Sequence, residues 1–171
     1  NNSHYSVPSK YIKTDVWVKK FSESIVAYDT SGQSKVEIAV HERSYKPKWS
    51  LNLTHYLDIL KIKPGALGQS VALQQAPEKI QNLYQVHFKG KERSFIELLI
   101  YANERGIPYD DLCSAALTAQ RKGVREVSTS HIREIIENPN QAATSQQNPS
   151  LKANHAMANL IVLTTLMNTP S

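Results

Sequence analysis

Residues 35–45, Lys35-Val36-Glu37-Ile38-Ala39-Val40-His41-Glu42-Arg43-Ser44-Tyr45, mark the point where the chain changes period. Upstream the apolar residues alternate as in strands, and downstream they recur as in helices. Val36, Ile38 and Val40 alternate with Glu37 and Ala39, which predicts a half-buried strand whose valine and isoleucine side faces a small core. His41 to Tyr45 breaks that alternation and runs into Lys46-Pro47-Lys48-Trp49, where no regular element starts cleanly. The stretch is read as the seam between two domains.

Upstream, three more strands are expected. Tyr5-Ser6-Val7-Pro8 is a short edge strand ended by a proline that cannot donate to a ladder. Thr14 to Phe21 places Val16 and Val18 on one face and Trp17 and Lys19 on the other. Glu23 to Asp29 follows, and Thr30-Ser31-Gly32-Gln33 supplies the turn that returns the chain antiparallel along Lys35 to Val40. Short strands with tight connections predict a small β-barrel over residues 1–46.

Downstream, residues 47–138 read as a compact all-α domain, giving an α+β protein built as two domains. Asn52 or Thr54 caps a first helix to about Lys61, stopped by Lys63-Pro64-Gly65. A second is expected over Ala66 to Gln75. A third carries Ile80, Leu83, Tyr84 and His87 to its stop at Gly90. Arg93 to Glu104 ends at Gly106, and the next helix opens at Pro108 and ends at Gly123. Ser128-Thr129-Ser130 caps a sixth helix holding Ile132, Ile135 and Ile136. Residues 139–150 lack charged and large apolar side chains and read as a flexible linker. Residues 151–171 read as an amphipathic tail helix, with Met157, Leu160, Ile161 and Met167 on a partner-binding stripe.

Composition narrows the function classes. No run reaches the roughly 18 apolar residues of a membrane span, so the expectation is a soluble chain without a membrane partner. Asn1-Asn2-Ser3 includes neither an initiator methionine nor a signal segment, which suggests a fragment of a longer protein. The single cysteine, Cys113, lies among Leu112, Ala115 and Ala116 and reads as a small core residue; its lack of a disulfide partner suits a reducing cytoplasm. The six histidines, no two within four residues, lack the spacing of a zinc site, and no phosphate-cradling glycine motif is present. Asp110 and Asp111, in a first helical turn after Pro108, complement the helix dipole.

The net charge is +5, with residues 1–50 carrying eight Lys/Arg against five Asp/Glu. Lys19 and Lys20 on the strands, with Arg43, Lys46 and Lys48 at the seam, are candidate DNA contacts, directed at phosphates rather than bases. A solubilising surface is the other reading of the same charges.

Tyr5-Ser6-Val7-Pro8, Val16-Trp17-Val18 and His41-Glu42-Arg43-Ser44-Tyr45, followed by Lys63-Pro64-Gly65-Ala66-Leu67, Ala76-Pro77, Leu83-Tyr84 and Phe95-Ile96-Glu97-Leu98-Leu99, occur in this order. The series resembles the C-terminal barrel and following helical region of IstA-type insertion-sequence transposases, over residues 5–136. That resemblance implies a post-catalytic part of a bacterial, cytoplasmic DNA transposase whose RNase H-like domain, with its magnesium-binding acidic triad, lies outside this chain. It implies no catalytic residue and no cofactor here. The partners it implies are double-stranded DNA at a transposon end or target, other transposase subunits and an AAA+ helper ATPase. A protein-interaction module without DNA contact is the alternative.

Overall fold

The structure, a computed structural model, describes residues 2–139. The linker from residue 140 onward and the tail stripe of Met157, Leu160, Ile161 and Met167 lie outside the described residues.

The described residues form a mixed α/β protein with two small sheets followed by helices. Strands β1 (His4–Tyr5), β2 (Trp17–Lys20), β3 (Ser24–Asp29), β4 (Val36–Glu42) and β5 (Trp49–Ser50) precede α1 (Leu57–Ile62), α2 (Val71–Gln74), α3 (Glu78–Leu83), α4 (Glu92–Arg105), α5 (Tyr109–Arg121) and α6 (Thr129–Glu137). The expected barrel does not close. β2, β3 and β4 form an open antiparallel sheet, while β1 leaves it and pairs in parallel with β5, His4 opposite Trp49 and Tyr5 opposite Ser50. Three strands are too few to curl a sheet onto itself, so β2 and β4 remain its edges. β5 thus begins at Trp49, the last residue of the Lys46 to Trp49 stretch in which no regular element was expected to start cleanly.

β4 also faces the other way from the sequence reading. Its inward residues are Ala39 and His41, whereas Val36 and Val40 are 54% and 52% exposed. A register shift at Ala27/Tyr28 interrupts pairing with β3, and His41 is drawn inward by polar partners described below. Alternation identified a strand with two unlike faces; which face is covered was decided by what packs against it.

The helical core forms around α4. Phe95, Ile96, Leu98, Leu99 and Ala102 are fully buried, meeting Leu112 of α5 and Ile132 of α6. Stops and starts follow local chemistry: Gly106 adopts φ 64° and closes α4, and the Ser128 side chain, with His131, forms a capping box for α6. The expected second helix is split. A 3₁₀ run over Pro64–Gln69 ends where Ser70 takes an extended conformation and caps the four-residue α2, accepting from the Leu73 amide. The third helix leaves the α pattern at Tyr84, and a π turn over Tyr84–Phe88 inserts Tyr84 and Phe88 against Phe95, ring centroids 5.4 and 5.3 Å away.

Candidate nucleic-acid interface

A buried polar joint ties the sheets to the first helical turns. Ser6, His41 and His55 are its inward polar side chains. The Ser6 carbonyl can only accept, so His41 Nε2–H donates to it at 2.7 Å, leaving His41 Nδ1 to Ser50 Oγ at 3.0 Å. Ser6 Oγ accepts the Asn52 amide at 2.9 Å and lies 2.8 Å from His55 Nδ1, to which its own proton is free to donate when that nitrogen is the unprotonated one. Burial, then the charge of His41 beside it, push the His55 pKa down to about 4, with an interaction with the Ser6 backbone pulling the other way. The two rings lie edge to face at 5.8 Å.

This joint sets the position of the seam cations. Tyr5 Oη accepts the Ser44 amide at 2.9 Å, and the Ser3 and Ser44 hydroxyls both donate to the Lys46 carbonyl, at 2.9 and 2.8 Å. The His4 amide donates to the Lys48 carbonyl at 2.8 Å. The backbone bearing Lys46 and Lys48 is therefore held by the N-terminal strand while both side chains stay exposed. Arg43 is pinned: its Nη1 donates to the Phe21 carbonyl at 2.8 Å and its guanidinium lies 4.7 Å from the Tyr45 ring centroid. A hollow of about 170 Å³ separates β1 from the β2 edge, lined by Ser3, Tyr5, Lys20, Arg43 and Ser44 among others.

Of the five candidate DNA contacts, the structure brings Lys20 and Arg43 together at this hollow, with Lys46 and Lys48 on the loop beside it. Lys19 is not with them. Adjacent residues of a strand point to opposite faces, and Lys19 pairs with Val26 on the other side, its ammonium 4.7 Å from the Phe21 ring. Ser3, Tyr5 and Ser44 line the hollow and carried no individual signal in the sequence.

The carboxylates and the thiol considered in the sequence lie elsewhere. Asp110 pairs with Lys79 at 2.8 Å on the surface, and Cys113 is half-buried against the helical core, its thiol pKa raised by burial first and by Asp110 second. Among the described residues no three His, Cys, Asp or Glu side chains converge as metal ligands would, and no helix is long and apolar enough to cross a membrane. An open, largely apolar groove of about 320 Å³ runs between α3 and α5, with Val86 and Leu117 exposed along it. Searches of protein families, of curated proteins and of solved structures find no match to this chain.

Proposed function

We propose that this chain is the post-catalytic part of a DNA transposase, a strand-rich unit over residues 1–46 and a helical unit over 47–138 that hold duplex DNA inside a multi-subunit complex. The observation that carries the reading is the convergence of Lys20 and Arg43 on one hollow beside the fixed backbone of Lys46 and Lys48. Four cations at and beside one hollow suit phosphate oxygens, which position a duplex without reading its sequence. The ordered motif resemblance over residues 5–136 supplies the transposase setting. In that setting cleavage, strand transfer and their magnesium ions belong to an upstream acidic triad, and the compartment is the bacterial cytoplasm. Residues 139–150 then serve as the linker to a tail whose stripe of Met157, Leu160, Ile161 and Met167 docks on a second transposase subunit or the AAA+ helper ATPase.

Lys20→Glu/Lys46→Glu/Lys48→Glu tests the DNA contact while sparing Arg43, whose hydrogen bond to Phe21 is structural. Fluorescence anisotropy with unrelated duplexes should show similar weakening for each, and the slope of log affinity against log salt should become shallower by about 2–3. Equal affinity of variant and native chain at low salt contradicts the proposal.

The apolar groove between α3 and α5 supports a second reading, a module that docks proteins through an inserted helix. Deleting residues 151–171 separates the roles of tail and body. The tail proposal expects an unchanged melting temperature with loss of binding to one of the two partners. Unfolding of the helical unit on deletion makes the tail a core element instead.

A further inference from the structure

We infer that the groove between α3 and α5 is the resting seat of the chain's own C-terminal segment, whose stripe of Met157, Leu160, Ile161 and Met167 lies there until a partner displaces it. The groove has two walls. Leu83 of α3 and Val86 of the π turn stand on one, Ala116 and Leu117 of α5 on the other. Val86 is 68% and Leu117 55% exposed. Apolar side chains scattered singly over a surface need no explanation, but these two border one cleft. The floor between the walls is made of small side chains. The Cys113 thiol lies 3.6 Å from the Lys79 carbonyl of the opposite wall, and Ala116 follows one turn further along α5. Small residues at that position let a third helix approach to the ordinary packing distance of about 8–10 Å.

Length, charge and reach select the occupant. Along α5 the groove runs from Asp110 to Gln120, about 15 Å of helix, and the stripe from Met157 to Met167 covers the same number of residues. Met157, Leu160, Ile161, Thr164 and Met167 recur at the spacing with which one face of a helix fills a groove. The groove's lysine and carboxylate, Lys79 and Asp110, pair with each other at 2.8 Å, and residues 153–171 contain no Asp, Glu, Lys or Arg. A neutral groove thus meets a neutral segment. The chain also leaves α6 close by. Asn138 shares a hollow of about 100 Å³ with Ala119 and Lys122 on one flank of α5, and Gln120 lines the groove on the other. The way round is about one helix diameter, 10–12 Å, and a linker over residues 139–150 spans about 20 Å on average. Such a tether presents the segment at an effective concentration on the order of millimolar, which favours the chain's own tail over that of a second copy. The inference rests on the reading of residues 151–171 as an amphipathic helix and adds where it lies before a partner takes it. A short helix that orders only as it docks releases on heating before the helical unit melts, so the melting temperature of that unit stays with its own core.

The test uses the full chain, in which Cys113 on the groove floor is the single cysteine. A second thiol is introduced on the stripe, by Met157→Cys, Leu160→Cys, Ile161→Cys or Thr164→Cys in turn, and off the stripe by Asn159→Cys as control. A disulfide requires its two Cα atoms to come within about 7 Å, so its rate of formation under mild oxidation reports the docked position. At least one stripe position should form a disulfide within the monomer more than about fivefold faster than Asn159→Cys, measured by non-reducing electrophoresis and peptide mapping. Val86→Asp/Leu117→Asp, at two exposed side chains, should remove that advantage. Equal rates on and off the stripe overturn the inference, because an undocked tail meets the thiol by diffusion alone. Disulfides that link two chains overturn it in favour of a second copy, and an advantage that survives the groove substitutions places the tail elsewhere. The comparison of stripe and control needs no change in the groove, so it decides the matter even where the groove variant loses its fold. No partner is present in the assay. A failed disulfide therefore leaves docking on a partner standing, and a partner that does not bind leaves the disulfide result standing.

Discussion

Acidification from pH 7 to pH 4 is expected to remove about 3 kcal/mol of folding free energy through His55 alone. The folded pKa of about 4 lies below the ordinary histidine value of 6.5. Above pH 6.5 both states hold the ring neutral, and the joint contributes in full. As pH falls through 6.5 the unfolded chain takes up a proton that the folded chain refuses, so stability declines until the folded ring also titrates near 4. Protonation would place a donor at Nδ1 against the Ser6 hydroxyl, which already accepts from the Asn52 amide. Urea unfolding at pH 7, 5.5 and 4 should give a steep decline for the native chain and a decline smaller by about 3 kcal/mol for His55→Gln, whose amide oxygen can still accept from Ser6. Parallel declines would show that carboxylates elsewhere carry the acid sensitivity. Because the joint holds β1 and with it the backbone of Lys46 and Lys48, duplex binding should weaken along with it.

Phe95→Ala is expected to cost about 3–5 kcal/mol, the range for deleting a large aromatic side chain from a closed core. Phe95 is fully buried and contacts both Tyr84 and Phe88 of the π turn. Its loss leaves a cavity beneath the π turn, so that segment should become more mobile as stability falls. Hydrogen exchange across residues 84–91 should accelerate before global unfolding. A cost under about 1 kcal/mol would mean that the π turn collapses into the space and that the core is less tightly determined than its burial implies.

Local chemistry made most helix ends readable. Gly106, Gly123 and Ser128 act where backbone geometry and capping require them. Ser70 shows the limit: a serine inside an apolar run can be a helical residue or a cap, and only packing around Leu67 and Leu73 makes it a cap. In β4 size and alternation favour Val36, Ile38 and Val40 as the inward set, yet the inward histidine is satisfied by Ser6, thirty-five residues away in sequence. Partners that distant leave no periodic trace. The separation of Lys19 from Lys20 was readable from strand alternation, whereas the meeting of Lys20 with Arg43 required the register of β2 on β3 on β4.

The central claim is that this chain holds duplex DNA by its phosphates, and the salt dependence of binding measures that directly. For the unmodified chain and a duplex of arbitrary sequence, log affinity should fall linearly with log salt between about 50 and 200 mM, with a slope of about −3 or steeper. Absence of duplex binding at the low-salt end, or an affinity that does not change across the range, would contradict it.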